Sequence, residues 1–237
     1  MKKTLLCLIL MVLCMASLAS ADSFLTFNNR VTGAPTDVID WGQLGPPGTQ
    51  LGSPVLVFSA GLTNAALAGN LDGSPVVTAL SGYNWNGNFD YGENLVWTGN
   101  ANYGYGGLGP FGIEFAVPVG TLGFGIQADL YGPFNVAVDI FDSSLNYMTT
   151  LTFSGNSFFS LAGDNLFIGI QDKTAVNIGG IIISTVSPND PTGGMFTNDF
   201  AIDAVSFNYA TPEPGSLMLL GTGLIGVAGV VRRKLGR

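Results

Sequence analysis

The sequence predicts an all-β fold, a jelly-roll-like β-sandwich, and three observations support this class. The chain has 34 glycines among its 237 residues, and glycine costs about 1 kcal/mol in a helix interior. Apolar and polar residues alternate with a period of two over short stretches, as in half-buried strands. Outside two apolar segments, no stretch of ten or more residues keeps a helical period. About ten short strands of this kind fit two packed sheets.

The clearest strand pattern lies in the middle of the chain, where Leu122, Phe124, Ile126, Ala128 and Leu130 alternate with glycine and polar residues. Other strands are predicted at 24–28, 55–58, 76–80, 94–98, 111–117, 136–140, 147–153, 166–170, 180–186 and 200–208. Gly/Pro, Asp/Ser and Ser/Gly/Asn clusters at 132–133, 142–144 and 154–156 are predicted turns.

Residues 1–21 are predicted to be a secretory signal peptide. Lys2 and Lys3 precede an apolar run at 5–18, and Ala19 and Ala21 provide the small side chains of a cleavage site. The exported domain is then expected to occupy residues 22–210.

The exported domain is expected to contain no thiol and no disulfide, because Cys7 and Cys14 both lie in the signal peptide. Its stability must then come from the core or from a bound metal. Between residues 22 and 211 fifteen acidic residues face only Arg30 and Lys173, a net charge near −13. Such a surface excludes nucleic acid as a partner, since phosphate contacts need clustered Lys and Arg.

A single transmembrane helix is predicted at 215–231, where seventeen residues carry no charge. At 1.5 Å per residue this segment spans about 26 Å, close to a hydrocarbon core of about 30 Å. Arg232, Arg233 and Lys234 follow and are expected to stop the segment at the cytoplasmic side of the inner membrane. The exported domain would then lie outside that membrane.

A proline-flanked glutamate, Pro212-Glu213-Pro214, stands directly before this segment. Two prolines fix their own φ angles and favour extended neighbours, so a processing enzyme could bind this stretch as a strand. The order of this motif, an apolar span and an Arg-rich end resembles the PEP-CTERM sorting signal of Gram-negative bacteria. The resemblance covers residues 211–237.

The resemblance implies a partner and a destination. Such tails are recognised by an exosortase, an integral-membrane transpeptidase that cuts near the motif and passes the exported domain toward the cell surface, often in bacteria that make extracellular polysaccharide. Pro212, Glu213 and Pro214 would accordingly be substrate residues and have no catalytic role.

Asp203 lies in an otherwise apolar last strand whose alternation changes phase, which predicts a β-bulge near it or burial on both faces. This strand also resembles the final strand of jelly-roll carbohydrate-binding modules, where the matching Asp helps to hold a structural calcium ion. Two interpretations stay open: a Ca²⁺ ligand, or a carboxylate that accepts backbone hydrogen bonds at a bulge.

The chemistry available to the chain is narrow. It has no histidine, and the exported domain has no cysteine, so Ser-His-Asp and Cys-His catalysis and His-ligated zinc are excluded. A glycosidase would need two paired carboxylates, but the acidic candidates have no diagnostic spacing. These candidates are Asp90, Glu93, Glu114, Asp129 and Asp139. No enzymatic activity is expected.

Two segments keep a binding function open. The segment 81–107 is crowded with aromatic, Asn and Gly residues, and Trp85, Tyr91 and Trp97 could stack on sugar rings. The alternative is that these rings belong to the core. In the segment 187–199, Asp190 and Asp199 could ligate Ca²⁺, or the segment is an ordinary loop.

These observations predict an exported, surface or matrix-associated protein that is anchored transiently and has a non-enzymatic, structural role. The alternative is a surface carbohydrate-binding module, stabilised by Ca²⁺, whose partner is an extracellular polysaccharide.

Overall fold

The computed structural model describes residues 23–29, 35–99, 109–174, 177–189 and 197–209. These residues form fifteen β-strands in two antiparallel sheets and one short 3₁₀ helix, Trp41–Leu44, and they contain no α-helix. The predicted all-β class is confirmed, and the two sheets are consistent with a β-sandwich. Jelly-roll connectivity stays a prediction.

The larger sheet has nine strands in the order β1-β12-β9-β14-β7-β6-β3, and β15 also pairs with β9 and β2. Its strands are β1 (Phe24–Phe27), β2 (Asp37–Ile39), β3 (Gln50–Leu51), β6 (Val76–Leu80), β7 (Asn94–Trp97), β9 (Thr121–Ala128), β12 (Leu166–Asp172), β14 (Phe200–Ile202) and β15 (Val205–Asn208).

The smaller sheet has six strands in the order β11-β10-β13-β8-β5-β4. Its strands are β4 (Val55–Phe58), β5 (Ala65–Asn70), β8 (Phe111–Val119), β10 (Gly132–Phe141), β11 (Tyr147–Ser157) and β13 (Ile178–Val186).

The main core lies between the two sheets and takes alternate residues from each strand. In β10 the buried members are Phe134, Val136, Val138 and Ile140, the half-buried pattern that a period of two predicts. Most of the core consists of β-branched and aromatic side chains, which pack well on a pleated surface.

Strand β9 differs from its sequence pattern, because it is buried along its whole length and not on one face only. Leu122, Phe124 and Ile126 face the main core. On the opposite face, a side chain at Gly123 would collide with the ring of Phe167, 2.6 Å from the added Cβ. The glycines of β9 therefore make room for a layer of side chains that covers the outside of the sheet.

Most strands lie where the sequence predicts them, but β2, β3 and β5 were not predicted. Strand β5 has the sequence AALAGN, which has low β-propensity, and it is held by pairing with β4 and β8 on its two sides. The turns predicted at 132–133 and 154–156 are wrong, since these residues belong to β10 and β11, which pair with each other there. The turn at 142–144 is confirmed.

The last predicted strand, 200–208, is interrupted at Asp203 and Ala204, so that β14 ends at Ile202 and β15 begins at Val205. The interruption changes the phase of the alternation, and both Ile202 and Val205 face the main core. The predicted irregularity near Asp203 is confirmed.

Candidate functional site

The segment between β6 and β7, residues 81–93, folds over the outer face of the larger sheet. In β7, Val96 faces the main core, whereas Leu95 on the opposite face joins a second apolar cluster. The cluster consists of Ala79, Trp85, Phe89, Leu95 and Ala201, with Trp97 packed against it. The covering segment therefore has a core of its own.

Gln127 of β9 makes four side-chain hydrogen bonds beneath this segment, and two of them hold the segment itself. Its Oε1 accepts from Nε1 of Trp85 at 3.1 Å and from the backbone N–H of Asn88 at 3.0 Å. Its Nε2 donates to Oγ of Ser157 at 2.8 Å and to the carbonyl of Phe158 at 3.2 Å. The amide is buried and uses its full bonding capacity, so it sets the position of Trp85.

A cleft of about 580 Å³ opens beside the second cluster, between the covering segment and the loop that follows β9. It is lined by Asn84, Trp85, Asn86, Trp97, Asp129, Leu130 and Tyr131. Aromatic rings, amides and a carboxyl group therefore meet in one concave surface, the set of groups that sugar rings and hydroxyls bind.

Trp97 is the half-buried ring of this cleft and is held from two directions. Its Nε1 donates to Oδ1 of Asp199 at 2.7 Å. Its ring lies against Gly99, where an added Cβ would come within 2.3 Å of the indole. The ring centroid is 6.0 Å from that of Trp85, at an interplanar angle of 64°. The orientation of the indole plane is thus fixed by the residues around it.

Asp129 lies in the wall of the cleft and has unusual electrostatics. Partial burial raises its pKa to about 7, and the negative charge of Asp199 adds to this shift. The backbone N–H of Asp129 also donates to the carbonyl of Asp199 at 3.0 Å, which keeps the two residues together. Near neutral pH the Asp129 carboxyl can therefore either donate or accept a hydrogen bond.

Tyr131, in the same loop as Asp129, also lines the cleft. Its hydroxyl donates to the carbonyl of Asn86 at 2.8 Å, and about half of the residue, 51%, remains exposed. Sequence reasoning missed Tyr131 as a site residue because it lies outside the aromatic segment, in a loop after a strand. The available signal was the pair Asp129 and Tyr131, an acidic and an aromatic residue directly after the end of β9.

The three aromatic residues predicted to contact glycans are placed differently. Trp97 lines the cleft, while Trp85 is only 3% exposed, so that most of its ring cannot reach a ligand. Tyr91 is 75% exposed but lies against Gly82, away from the cleft lining. The structure therefore brings together only Trp85 and Trp97 of the three.

Asp203 lies at the break between β14 and β15 and is buried. Its Oδ1 accepts from the backbone N–H of Gly125 at 2.6 Å, and its own N–H donates to the carbonyl of Gly125 at 3.1 Å. The carbonyl of Asp203 accepts from Nε1 of Trp41 at 2.6 Å. These contacts join the break to β9 and to the 3₁₀ helix, and they match the bulge interpretation of this carboxylate.

Several predicted residues lie outside the described part of the chain. They are Ala19, Ala21, Asp190, Pro212, Glu213, Pro214, Arg232, Arg233 and Lys234. Within the described ranges, no three acidic, His or Cys side chains converge as a metal site would require. No helix in these ranges has the length and apolar character needed to cross a membrane.

Comparison with known proteins identifies one motif. Residues 210–234 match the family model of the PEP-CTERM protein-sorting motif. The chain therefore carries this sorting signal. The match confirms the resemblance that was based on Pro212-Glu213-Pro214 and the residues after it. No curated protein matches the chain.

The solved structures that match this chain have low identity to it and low TM-scores. A DUF4465 family protein from Bacteroides caccae is 12% identical, with 82% of this chain and 96% of that chain covered and a TM-score of 0.36. A DUF4465 family protein from Bacteroides ovatus is 12% identical, with 79% and 99% covered and a TM-score of 0.26. The CBM22-1–GH10 modules of Clostridium thermocellum endo-1,4-β-D-xylanase 10B, complexed with xylohexaose, are 11% identical, with 62% and 25% covered and a TM-score of 0.22.

Proposed function

We propose that this protein is exported across the inner membrane, held there transiently by residues 215–231, and processed by an exosortase at Pro212-Glu213-Pro214. Its β domain then acts at the cell surface or in the extracellular matrix in a structural, non-enzymatic role. The match of residues 210–234 to the PEP-CTERM sorting motif is the observation that carries this proposal.

The C-terminal segment combines a membrane anchor with a motif that a processing enzyme can bind. The uncharged residues 215–231 are long enough to insert with little mismatch, and Arg232, Arg233 and Lys234 favour the cytoplasmic side. The motif then lies at the outer surface of the inner membrane, with its prolines preorganised as an extended substrate. The signal peptide at 1–21 supplies the export step.

A motif variant tests the sorting role. Replacing Pro212, Glu213 and Pro214 by alanine should leave export intact but stop processing, so that the full-length chain accumulates in the inner-membrane fraction. Ser216→Ala, one residue beyond Gly215, is the matched control and should be processed normally. Surface delivery of the triple variant at the level of the unaltered chain would overturn the proposal.

A second candidate function is the binding of an extracellular polysaccharide in the cleft. The observation that favours it is the joint placement of Trp97, Tyr131 and Asp129, with amides on the same rim. One half-buried ring supplies a stacking face, and the carboxyl group and amides supply hydrogen bonds to hydroxyls.

Affinity for a panel of neutral and acidic soluble polysaccharides tests this second role. Trp97→Ala and Tyr131→Ala should each weaken binding about tenfold or more, as removal of a central aromatic contact does. Tyr83→Ala removes a ring that is 75% exposed and outside the cleft lining, and it should bind normally. Absence of binding to every polysaccharide, with and without calcium, rules this role out.

A structural Ca²⁺ ion at Asp203 belongs to this second candidate. Thermal melting with and without a chelator tests this hypothesis. A lower melting midpoint in chelator supports a bound ion, and an unchanged midpoint rules the ion out. The hydrogen bond from Gly125 to Asp203 provides one compensating partner for the buried carboxylate without a metal.

A further inference from the structure

The charged residues of the elements around the cleft are all acidic. The covering segment is contacted by the loop 158–165, whose Ser160 and Asn165 N–H groups donate to the carbonyls of Gly87 and Asn88 at 3.1 Å each. The charged side chains of the covering segment, of this loop, of the loop after β9 and of residues 197–199 are Asp90, Glu93, Asp129, Asp164 and Asp199. A negatively charged ligand therefore meets no opposite charge in these elements.

The basic residue that the structure describes in the exported domain lies far from the cleft. Between residues 22 and 211 the sequence has Arg30 and Lys173, and only Lys173 belongs to the described ranges. Lys173 follows β12, whose Gln171 pairs with Thr121 at the start of β9, whereas the cleft lies beyond the other end of β9. The length of β9, roughly 24 Å, therefore separates the two. At that distance an exposed charge is largely screened in physiological salt.

The indole N–H donors of the cleft are already used within the protein. Nε1 of Trp85 donates to Oε1 of Gln127 at 3.1 Å, and Nε1 of Trp97 donates to Oδ1 of Asp199 at 2.7 Å. A ligand carboxylate that leaves water needs strong donors or a positive charge in exchange. The two indoles contribute ring surface to the cleft but offer no such donor.

The other polar groups of the cleft favour a ligand that donates hydrogen bonds. The Tyr131 hydroxyl donates to the carbonyl of Asn86 at 2.8 Å, so its oxygen is left to accept. Asn84 uses its Oδ1 and one N–H in bonds to the backbone. The ionised Asp129 carboxyl is an acceptor only. Sugar hydroxyls, which donate readily, match this set of groups better than a carboxylate does.

Asp129 opposes an anionic ligand directly. It lines the cleft, is largely buried, and lies beside the negative charge of Asp199. A ligand carboxylate in the cleft would add a third negative charge to this pair, in a place where little water screens it. Like charges brought together in an interface suppress the binding of a wrong partner.

We infer that the cleft takes uncharged sugar residues and excludes acidic polysaccharides, with Asp129 as the residue that repels a ligand carboxylate. This inference rests on the second candidate function, the binding of polysaccharide in the cleft, and names the class of ligand for it. Trp97 supplies the stacking face, and Asp129 and Tyr131 accept hydrogen bonds from hydroxyls.

The exclusion should depend on pH. Because burial and the charge of Asp199 raise the pKa of Asp129 to about 7, the Asp129 carboxyl is protonated at lower pH and can donate to a ligand carboxylate. Above this pH it is ionised and repels the same ligand. The preference for uncharged over acidic sugar should therefore increase as pH rises through about 7.

Matched polysaccharide pairs test the inference. The probes are soluble β-glucan, galactomannan and amylose, each compared with the same polymer after oxidation of its primary alcohols to carboxylates. Isothermal titration calorimetry uses the full chain in mild detergent, at about 1 M salt, where the Debye length of about 3 Å removes repulsion by the rest of the surface. At about pH 8 the oxidised form of a polymer that binds should have a dissociation constant about tenfold or more above that of the neutral form.

Asp129→Asn should reduce this ratio to about threefold or less and remove its dependence on pH, since an amide cannot ionise. Glu114→Gln removes an exposed charge from the other sheet and should leave the ratio unchanged. An oxidised polymer that binds as tightly as its neutral form, or a ratio that Asp129→Asn does not change, overturns the inference while polysaccharide binding itself stands. Absence of binding to every form removes the second candidate function and the inference with it.

Discussion

The indole Nε1 of Trp97 donates a 2.7 Å hydrogen bond to Oδ1 of Asp199, a residue with no exposed surface. This bond connects the ring that lines the cleft with the residue directly before β14, although the two residues lie far apart in the sequence. Because Asp199 also contributes to the raised pKa of Asp129, the aromatic and the acidic parts of the cleft are one unit.

Trp97→Phe keeps an aromatic ring but deletes the donor to Asp199. The loss of this charge-assisted hydrogen bond to a buried carboxylate should lower the free energy of unfolding by about 1–3 kcal/mol. Urea unfolding at neutral pH measures this loss. Tyr83→Phe, in which only an exposed hydroxyl is removed, is the control, and a free energy of unfolding that is equal in the two variants would contradict the structural role of the bond.

Asp129→Asn should change how stability depends on pH. The Asp129 pKa is raised from 3.8 to about 7 in the folded protein, so folding favours the protonated carboxyl. Its contribution is fully present below pH 3.8 and is lost as pH rises through about 7. Asp129→Asn should therefore gain stability relative to the unaltered chain between pH 4 and pH 8.

Unfolding free energies at intervals of one pH unit test this expectation. Glu114→Gln, which removes an exposed charge from the other sheet, controls for the change in net charge. Parallel pH profiles for Asp129→Asn and the unaltered chain would show that the Asp129 carboxyl does not titrate in this window.

Gln127→Leu should destabilise the covering segment. The substitution leaves the Trp85 indole N–H and the Asn88 backbone N–H without their acceptor and Ser157 without its donor, and each such buried group costs about 1–3 kcal/mol. Gln171→Leu, the same change at an exposed position of β12, is the matched control. Hydrogen exchange should accelerate in residues 81–93 of Gln127→Leu only, and unchanged protection there would contradict the role assigned to Gln127.

Asp37→Asn should alter stability at acid pH. Burial raises the pKa of Asp37, but hydrogen bonds from Ser59, Thr63, Gly61 and Val38 outweigh it and lower the pKa to about 2. The stability that this carboxylate contributes is present above pH 3.8 and is lost as pH falls through about 2. Asp37→Asn should reduce stability at pH 5 and flatten the acid limb of the profile. An acid limb as steep as that of the unaltered chain would contradict this assignment.

The sequence predicted the parts of the fold that depend on local alternation. The strand at Val76–Leu80 was predicted with the bounds observed, and the change of phase at Asp203 indicated the break between β14 and β15. Strand β5 could not be predicted, because its alanines and glycine become a strand only through partners on both sides. Strand β9 was predicted, but the burial of its outer face was not, because that face is covered by residues far along the chain.

The cleft was predicted only in part, for a related reason. Trp97 was identified from its aromatic and Asn-rich surroundings, but its partners Asp129 and Asp199 join it through sheet pairing across long sequence separations. Trp85 was also identified from its surroundings, but it is buried in the second apolar cluster, in a layer outside the sheet that the sequence did not predict. Composition indicated the chemistry of the cleft, and topology decided which rings face it.

The mass of the protein recovered from the cell surface tests the sorting account most directly. Because Pro212, Glu213 and Pro214 are proposed as the processing site, the recovered chain should end near these residues and lack the apolar segment 215–231 and the basic residues after it. A surface-recovered chain that still carries Arg237 would contradict the account.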